Sequence, residues 1–239
     1  MKSTLRRAIN LFTGIQSEKF RLSVVNTYLA QSLISTLENL NDDKGKQIVV
    51  FDIGAHKGDW TKKIKSEIPS VNAFMFEANP IHENDLKSIG CYYHIGILSD
   101  SEKTADFYAC GGTGDSLYQE STNVYQNVIP TKERCHTLDT LIQQEGLPQP
   151  DFIKLDTQGS ELDILNGASK SLEHAKALLL ECPIYPYNAG APSMKEYIDF
   201  LLQRGFYPSR CTEIHDMAGV FGQVDIIFLH RHILDKSDS

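Results

Sequence analysis

The sequence predicts an α/β domain, a mostly parallel sheet covered by helices on both faces. Three observations predict it. Short apolar runs alternate with stretches of helical period from Ile48 to Leu229. The first run ends in an acidic residue and two spaced glycines, Asp52-Ile53-Gly54-Ala55-His56-Lys57-Gly58. The second ends in Glu77, 23 positions beyond Gly54, with Pro80 placed to open a helix.

The elements follow in order. Residues 20–40 carry Phe20, Val24, Leu29, Leu33, Leu37 and Leu40 on one face, the pattern of an amphipathic helix. That helix reads as core or dimer packing, which leaves a homo-oligomer open, and its few Lys and Arg disfavour a membrane surface. Residues 1–46 are expected as a helical extension ending in a polar linker, 47–232 as the α/β domain and 233–239 as a polar tail. Strands are expected at 48–53, 72–77, 91–97, 152–156, 177–181, 206–210 and 224–229. Helices are expected at 57–67, 80–89, 137–145, 160–168 and 193–204. Gly111, Gly112, Gly114 and Pro130 mark 102–135 as an irregular or β insertion.

Composition narrows the function classes. A chain of 239 residues with 41% hydrophobic content can bury one sizeable core. Its net charge of −8 and pI of about 5.5 argue against a nucleic-acid partner, because neutralising phosphates needs Lys- and Arg-rich surfaces. No run approaches the roughly 18 apolar residues of a membrane span. Cys91, Cys110, Cys135, Cys182 and Cys211 are scattered and form no CxxC pair. Zinc and a disulfide framework are therefore not expected, and a cytoplasmic location is the default.

In such a sheet ligands sit outside the carboxyl ends of the strands. Gly54 and Gly58 leave room for a ligand beside the backbone there, and the next helix offers free N–H groups. The spacing is D-x-G-x-x-x-G rather than G-x-G-x-x-G. A carboxylate before the turn suits a cationic ligand such as S-adenosylmethionine better than a pyrophosphate. Glu77, at the tip of the second strand, can accept hydrogen bonds from a ribose diol. Asp156 ends the apolar run Phe152-Ile153-Lys154-Leu155 at the same edge, while Ser160 and Asp163 are explained by capping the following helix.

Four strings in this region, DIGAHKG, FEANP, RCHTLDTL and above all DFIKLDTQGSELDIL, resemble FkbM-type methyltransferases. The resemblance covers about 48–182. It implies the Rossmann-like class I methyltransferase fold, a seven-stranded, mostly parallel sheet whose last strand is antiparallel. It also implies S-adenosylmethionine as donor and O-methylation, often of a sugar or natural-product hydroxyl. Asp52, Gly54, Gly58 and Glu77 fall on its cofactor motifs, and Ala55 and Asn79 lie beside them as further cofactor-binding candidates.

The acceptor side must come from the remaining loops. Glu181 ends the fifth strand of the parallel set, and the loop after it brings Tyr185 and Tyr187. An antiparallel last strand returns the loop 211–223 to that edge with Glu213, His215 and Asp216. Asp156, Glu181 and His215 are the catalytic candidates. His215 suits a general base, whereas Asp156 and Glu181, both oxygen donors, suit Mg²⁺ if the mechanism needs a metal. The expected partner is a small-molecule or carbohydrate acceptor. A catalytically silent adenosyl-binding module stays open. An NAD-dependent oxidoreductase is disfavoured by the missing third glycine and by the Asp before the turn.

Overall fold

The computed structural model describes residues 31–40, 46–109, 111–121, 127–185, 187–217 and 220–237. Most of the expected extension, including residues 20–30 of its helix, lies outside the described residues.

The main sheet contains β1 (Ile48–Ile53), β2 (Val71–Glu77), β3 (Tyr92–Ile95), β7 (Phe152–Leu155), β8 (Ala177–Pro183), β9 (Phe206–Met217) and β10 (Val220–His230). Their spatial order is β3-β2-β1-β7-β8-β10-β9. β10 runs antiparallel to both of its neighbours, and the other pairings are parallel. The chain moves outward from β1 to β3 and then crosses back to β7. The order therefore reverses between β1 and β7, the place where α/β sheets bind ligands.

Two-residue alternation divides the sheet's side chains between two cores. Ile48, Val50, Phe152, Leu179 and Ile227 face the helix at 31–40 (α1), whose Leu33, Leu37 and Leu40 are buried against them. Phe51, Ile53, Ile153, Leu155, Leu178 and Leu180 face the other way. They meet α4 (Leu138–Glu145), α5 (Glu161–Asn166), α6 (Ser169–His174) and α7 (Met194–Gln203). α2 (Asp59–Glu67) adds Ile64 to the α1 side, and α3 (Glu83–Ile89) packs Leu86 beside β2 and β3.

Several boundaries differ from the sequence expectation. The strand expected at 91–97 breaks at Gly96, whose N–H donates to Glu77 O at 2.8 Å, and resumes as β4 (Ile97–Leu98). The helix expected at 160–168 ends at Asn166, and a further short helix follows at Ser169–His174; Gly167, between them, is pressed so closely on Ser99 O that a Cβ would lie 2.2 Å from it. The expected loop 211–223 is largely a hairpin of β9 and β10. The expected polar tail starts inside a helix, α8 (Arg231–Ser237), whose Ile233 packs on the α1 side of the core. The insertion forms β5 (Lys103–Phe107) and β6 (Thr131–His136), which build a second sheet with β4 in the order β4-β6-β5.

Candidate active site at the carboxyl edge of the sheet

A cavity of about 390 Å³ opens at the carboxyl ends of β1, β2, β7 and β8. One wall is β4, through Ile97 and Leu98, with the insertion, through Phe107, Asp115, Ser116 and Leu117. Gly112 and Thr113 join that wall, so the glycine-rich stretch after 110 is part of the site. The opposite end is lined by Asp156, Gln158, Glu181, His215 and Gln223.

The turn after β1 separates its expected cofactor residues. Gly54 lines the cavity with a φ of +74°, and a Cβ there would lie 1.9 Å from Asp156 O. Asp52, Ala55 and Gly58, expected beside the ligand, do not line it. Asp52 is fully buried beneath the turn, where it accepts from Thr61 Oγ1 at 2.7 Å and pairs with Lys154 Nζ at 3.0 Å. Lys154 Nζ also donates to Gly54 O at 3.0 Å and lies 3.5 Å from Asp156. Burial opposes the Lys154 charge, but Asp52 and Asp156 outweigh it and hold the ammonium above its usual range. Gly58 is a packing glycine, since a Cβ there would meet Ile89 Cδ1 at 2.0 Å.

Glu77 lines the cavity and is held in place by two backbone donors, His56 N at 2.7 Å and Asn79 N at 2.8 Å. Each carboxylate oxygen thus keeps a lone pair for a ligand. Asn79 also stands outside the lining. Its Oδ1 caps the turn by accepting from Ile81 N, and its amide donates to the cavity residue Asp115 at 2.6 Å.

Gln158 organises the other end. Its Nε2 donates to Asp156 Oδ1 at 3.1 Å and to Glu181 Oε2 at 2.6 Å, while its Oε1 accepts from Tyr187 OH. Gln158 holds a φ of +55°, a conformation a non-glycine residue rarely adopts. The buried carboxylate of Glu161 holds that turn by accepting from Thr157 N at 2.7 Å and Gly159 N at 3.0 Å, and Tyr197 OH also donates to it. Ser160 makes no side-chain cap bond to α5, and Asp163 accepts from Tyr118 OH, so the capping expected of this pair is not what the segment does.

His215 lines the cavity from β9, with Nε2 3.2 Å from Asp225 Oδ1 on β10. This hydrogen bond is the main reason its pKa is raised, against the opposing effect of burial. Burial, with Asp156 next, pushes the Glu181 carboxyl well above the usual range, and burial also raises Asp225 and Glu213. Glu181, His215 and Asp225 offer three possible metal donors within 4.8 Å of one another. The pair expected to hold Mg²⁺, Asp156 and Glu181, is instead bridged by the Gln158 amide.

The lining thus contains four carboxylates, Glu77, Asp115, Asp156 and Glu181, and among the described residues no Lys or Arg. That donor set fits a ligand bearing positive charge and offers a pyrophosphate no Lys or Arg. Gln158, Asp225 and Asp115 were not singled out from the sequence. Asp225 had a visible signal, a charge inside the apolar run Val224 to Leu229. Gln158 had none, because its importance comes from a turn conformation. No helix among the described residues is long and apolar enough to cross a membrane.

Over 176 residues the chain is 24% identical to the 2-O-methyltransferase NoeI of Sinorhizobium fredii (strain NGR234), covering 64% of this chain and 70% of that protein. Over 199 residues it is 23% identical to the hexuronic acid methyltransferase AglP of Haloferax volcanii, covering 74% and 80% respectively. Magnesium protoporphyrin IX methyltransferase (ChlM) of Synechocystis PCC 6803 aligns over 95% of this chain and 92% of its own at a TM-score of 0.46 and 12% identity, too loose a likeness to carry more. Residues 52–208 match the methyltransferase FkbM domain, and the chain belongs to that methyltransferase family.

Proposed function

We propose that the protein transfers a methyl group from S-adenosylmethionine to a hydroxyl of a sugar. The observation that carries this reading is the polarity of the cavity. One end offers Gly54 and Glu77 to a nucleoside-bearing donor, and the other offers a histidine held by a carboxylate. The names of the two relatives, a 2-O-methyltransferase and a hexuronic acid methyltransferase, support a carbohydrate acceptor.

When bound, S-adenosylmethionine supplies a methyl group on a positively charged sulfur. Glu77 accepts the ribose hydroxyls, and Asp156 favours the donor's positive charge. With Asp225 accepting the His215 Nε2–H, Nδ1 is the ring atom left to accept a proton from a substrate hydroxyl. His215 then removes the hydroxyl proton as the oxygen attacks, and Asp225 stabilises the imidazolium that forms. Methyl transfer is a displacement at carbon, so alignment contributes most of the acceleration. Glu161 and Gln158 provide it by fixing the turn between the two ends. A base is favoured over magnesium because the Gln158 amide already joins Asp156 to Glu181.

The test is transfer of labelled methyl from S-adenosylmethionine to a panel of glycosides, with products identified by mass spectrometry. His215→Ala is expected to lose roughly 10²- to 10⁴-fold in turnover. Binding of S-adenosylhomocysteine with no transfer to any acceptor would favour the silent module, and NAD binding in its place would sink both.

A further inference from the structure

The acceptor end of the cavity has a charge pattern that selects its ligand, a selectivity that presupposes the sugar methyltransferase reading. Asp156 stands where this end begins, its backbone O beside Gly54. Beyond it stand Glu181, Asp225 and Glu213, with His215 in the lining and the Lys154 ammonium buried beneath the turn as the cationic groups near them. Glu181 also lines a side recess of about 20 Å³ with Tyr187, Asn188 and Tyr197. That volume suits a single small polar group. A second observation concerns another residue of that recess. Asn188 is only 8% exposed, its amide nitrogen is spent on Gln158 O at 2.7 Å, and its Oδ1 is buried without a partner. A carboxylate and an orphaned carbonyl are both acceptors, so the group they suit is a donor with several hydrogens and positive charge.

We propose that the acceptor is an amino-substituted sugar, its ammonium held by Glu181 and Asn188 and its neighbouring hydroxyl presented to His215. The geometry agrees: Glu181 and His215 offer atoms within 4.8 Å of each other, a gap that a vicinal nitrogen and oxygen can bridge. A sugar carrying a carboxylate or phosphate at this position meets Glu181 and Asp156, and no Lys or Arg among the described lining residues.

The test is an NMR-monitored titration of the full chain with methyl glucosaminide, methyl glucoside and methyl glucuronide, with and without S-adenosylhomocysteine. The glucosaminide is expected to bind at least tenfold more tightly than the glucoside, and the glucuronide most weakly. Glu181→Gln should bring the glucosaminide to the level of the glucoside, and Asn188→Ala should narrow the difference. Unchanged S-adenosylhomocysteine affinity in each variant serves as the check on folding. Equal binding of glucoside and glucosaminide, tighter binding of the glucuronide, no binding of any glycoside, or a preference that survives Glu181→Gln overturns the assignment. The S-adenosylhomocysteine titration judges the donor separately.

Discussion

Lys154 Nζ lies 3.0 Å from Asp52 Oδ1, and both side chains are almost completely shielded from solvent beneath the turn that follows β1. The same ammonium reaches Gly54 O and approaches Asp156, so one buried charge ties the first strand of the site to the fourth in the parallel set. Removing one partner of a buried pair leaves the other uncompensated. Lys154→Met is therefore expected to destabilise the fold by about 3–5 kcal/mol. Urea denaturation measures it, and a loss within error of zero would mean that Asp52 finds another partner or a proton.

Glu77 should matter to both binding and stability. Its carboxylate accepts from His56 N and Asn79 N, so the fold depends on it even without ligand. Glu77→Ala should weaken S-adenosylhomocysteine by about 1.5–3 kcal/mol and lower the thermal midpoint of the unliganded protein. Calorimetry in both modes separates the effects. Wild-type affinity in the variant would remove Glu77 from the donor site.

The His215–Asp225 pair predicts a pH dependence with a definite direction. A base must be neutral, so turnover should rise as pH passes through the raised His215 value. Asp225→Asn removes the main cause of the shift, and the rising limb should move to lower pH while maximal turnover falls. Stability runs the other way. The protonated pair stabilises the fold fully below the unfolded histidine value of about 6.5, and this is lost as pH rises through the raised folded value. An acid limb that stays in place in Asp225→Asn would exclude His215 as the titrating base.

Chelation should leave turnover unchanged if His215 serves as the base, with the Gln158 amide joining Asp156 and Glu181. Gln158→Leu keeps the bulk and removes the amide, so the two carboxylates would face each other unscreened and turnover should fall at least tenfold. Loss of activity in EDTA with recovery on adding Mg²⁺ would reverse this conclusion.

Gly54→Ala tests the close approach of β1 to β7. Its Cβ would meet Asp156 O at 1.9 Å in a backbone conformation with φ of +74°. Strain of about 1–3 kcal/mol from the conformation alone should appear as lower stability, with a displaced Asp156 and weaker donor binding. A variant with wild-type stability and affinity would show that the turn can relax.

The sequence by itself determined the strand and helix alternation, because buried parallel strands and amphipathic helices each leave a period in the apolar residues. It also located the two strand ends that matter most, at Asp52-Ile53-Gly54 and at Glu77, since a glycine turn and a terminal acid are local features. What lies around those ends was decided only in three dimensions. Asp52 and Asp156 look alike in sequence, each an acid closing an apolar run. The register of β1 against β7 puts Lys154 beside Asp52 and buries that carboxylate, while Asp156, just past the end of β7, stays in the cavity. The partner of His215 comes from a separate strand, through the pairing of β9 with β10. Gln158 acquired its position from a left-handed turn held by Glu161, a buried residue whose carboxylate serves the backbone. Periodicity records which face a residue occupies. Which charge ends up next to which depends on strand order and register, and these are set by the packing of the whole sheet.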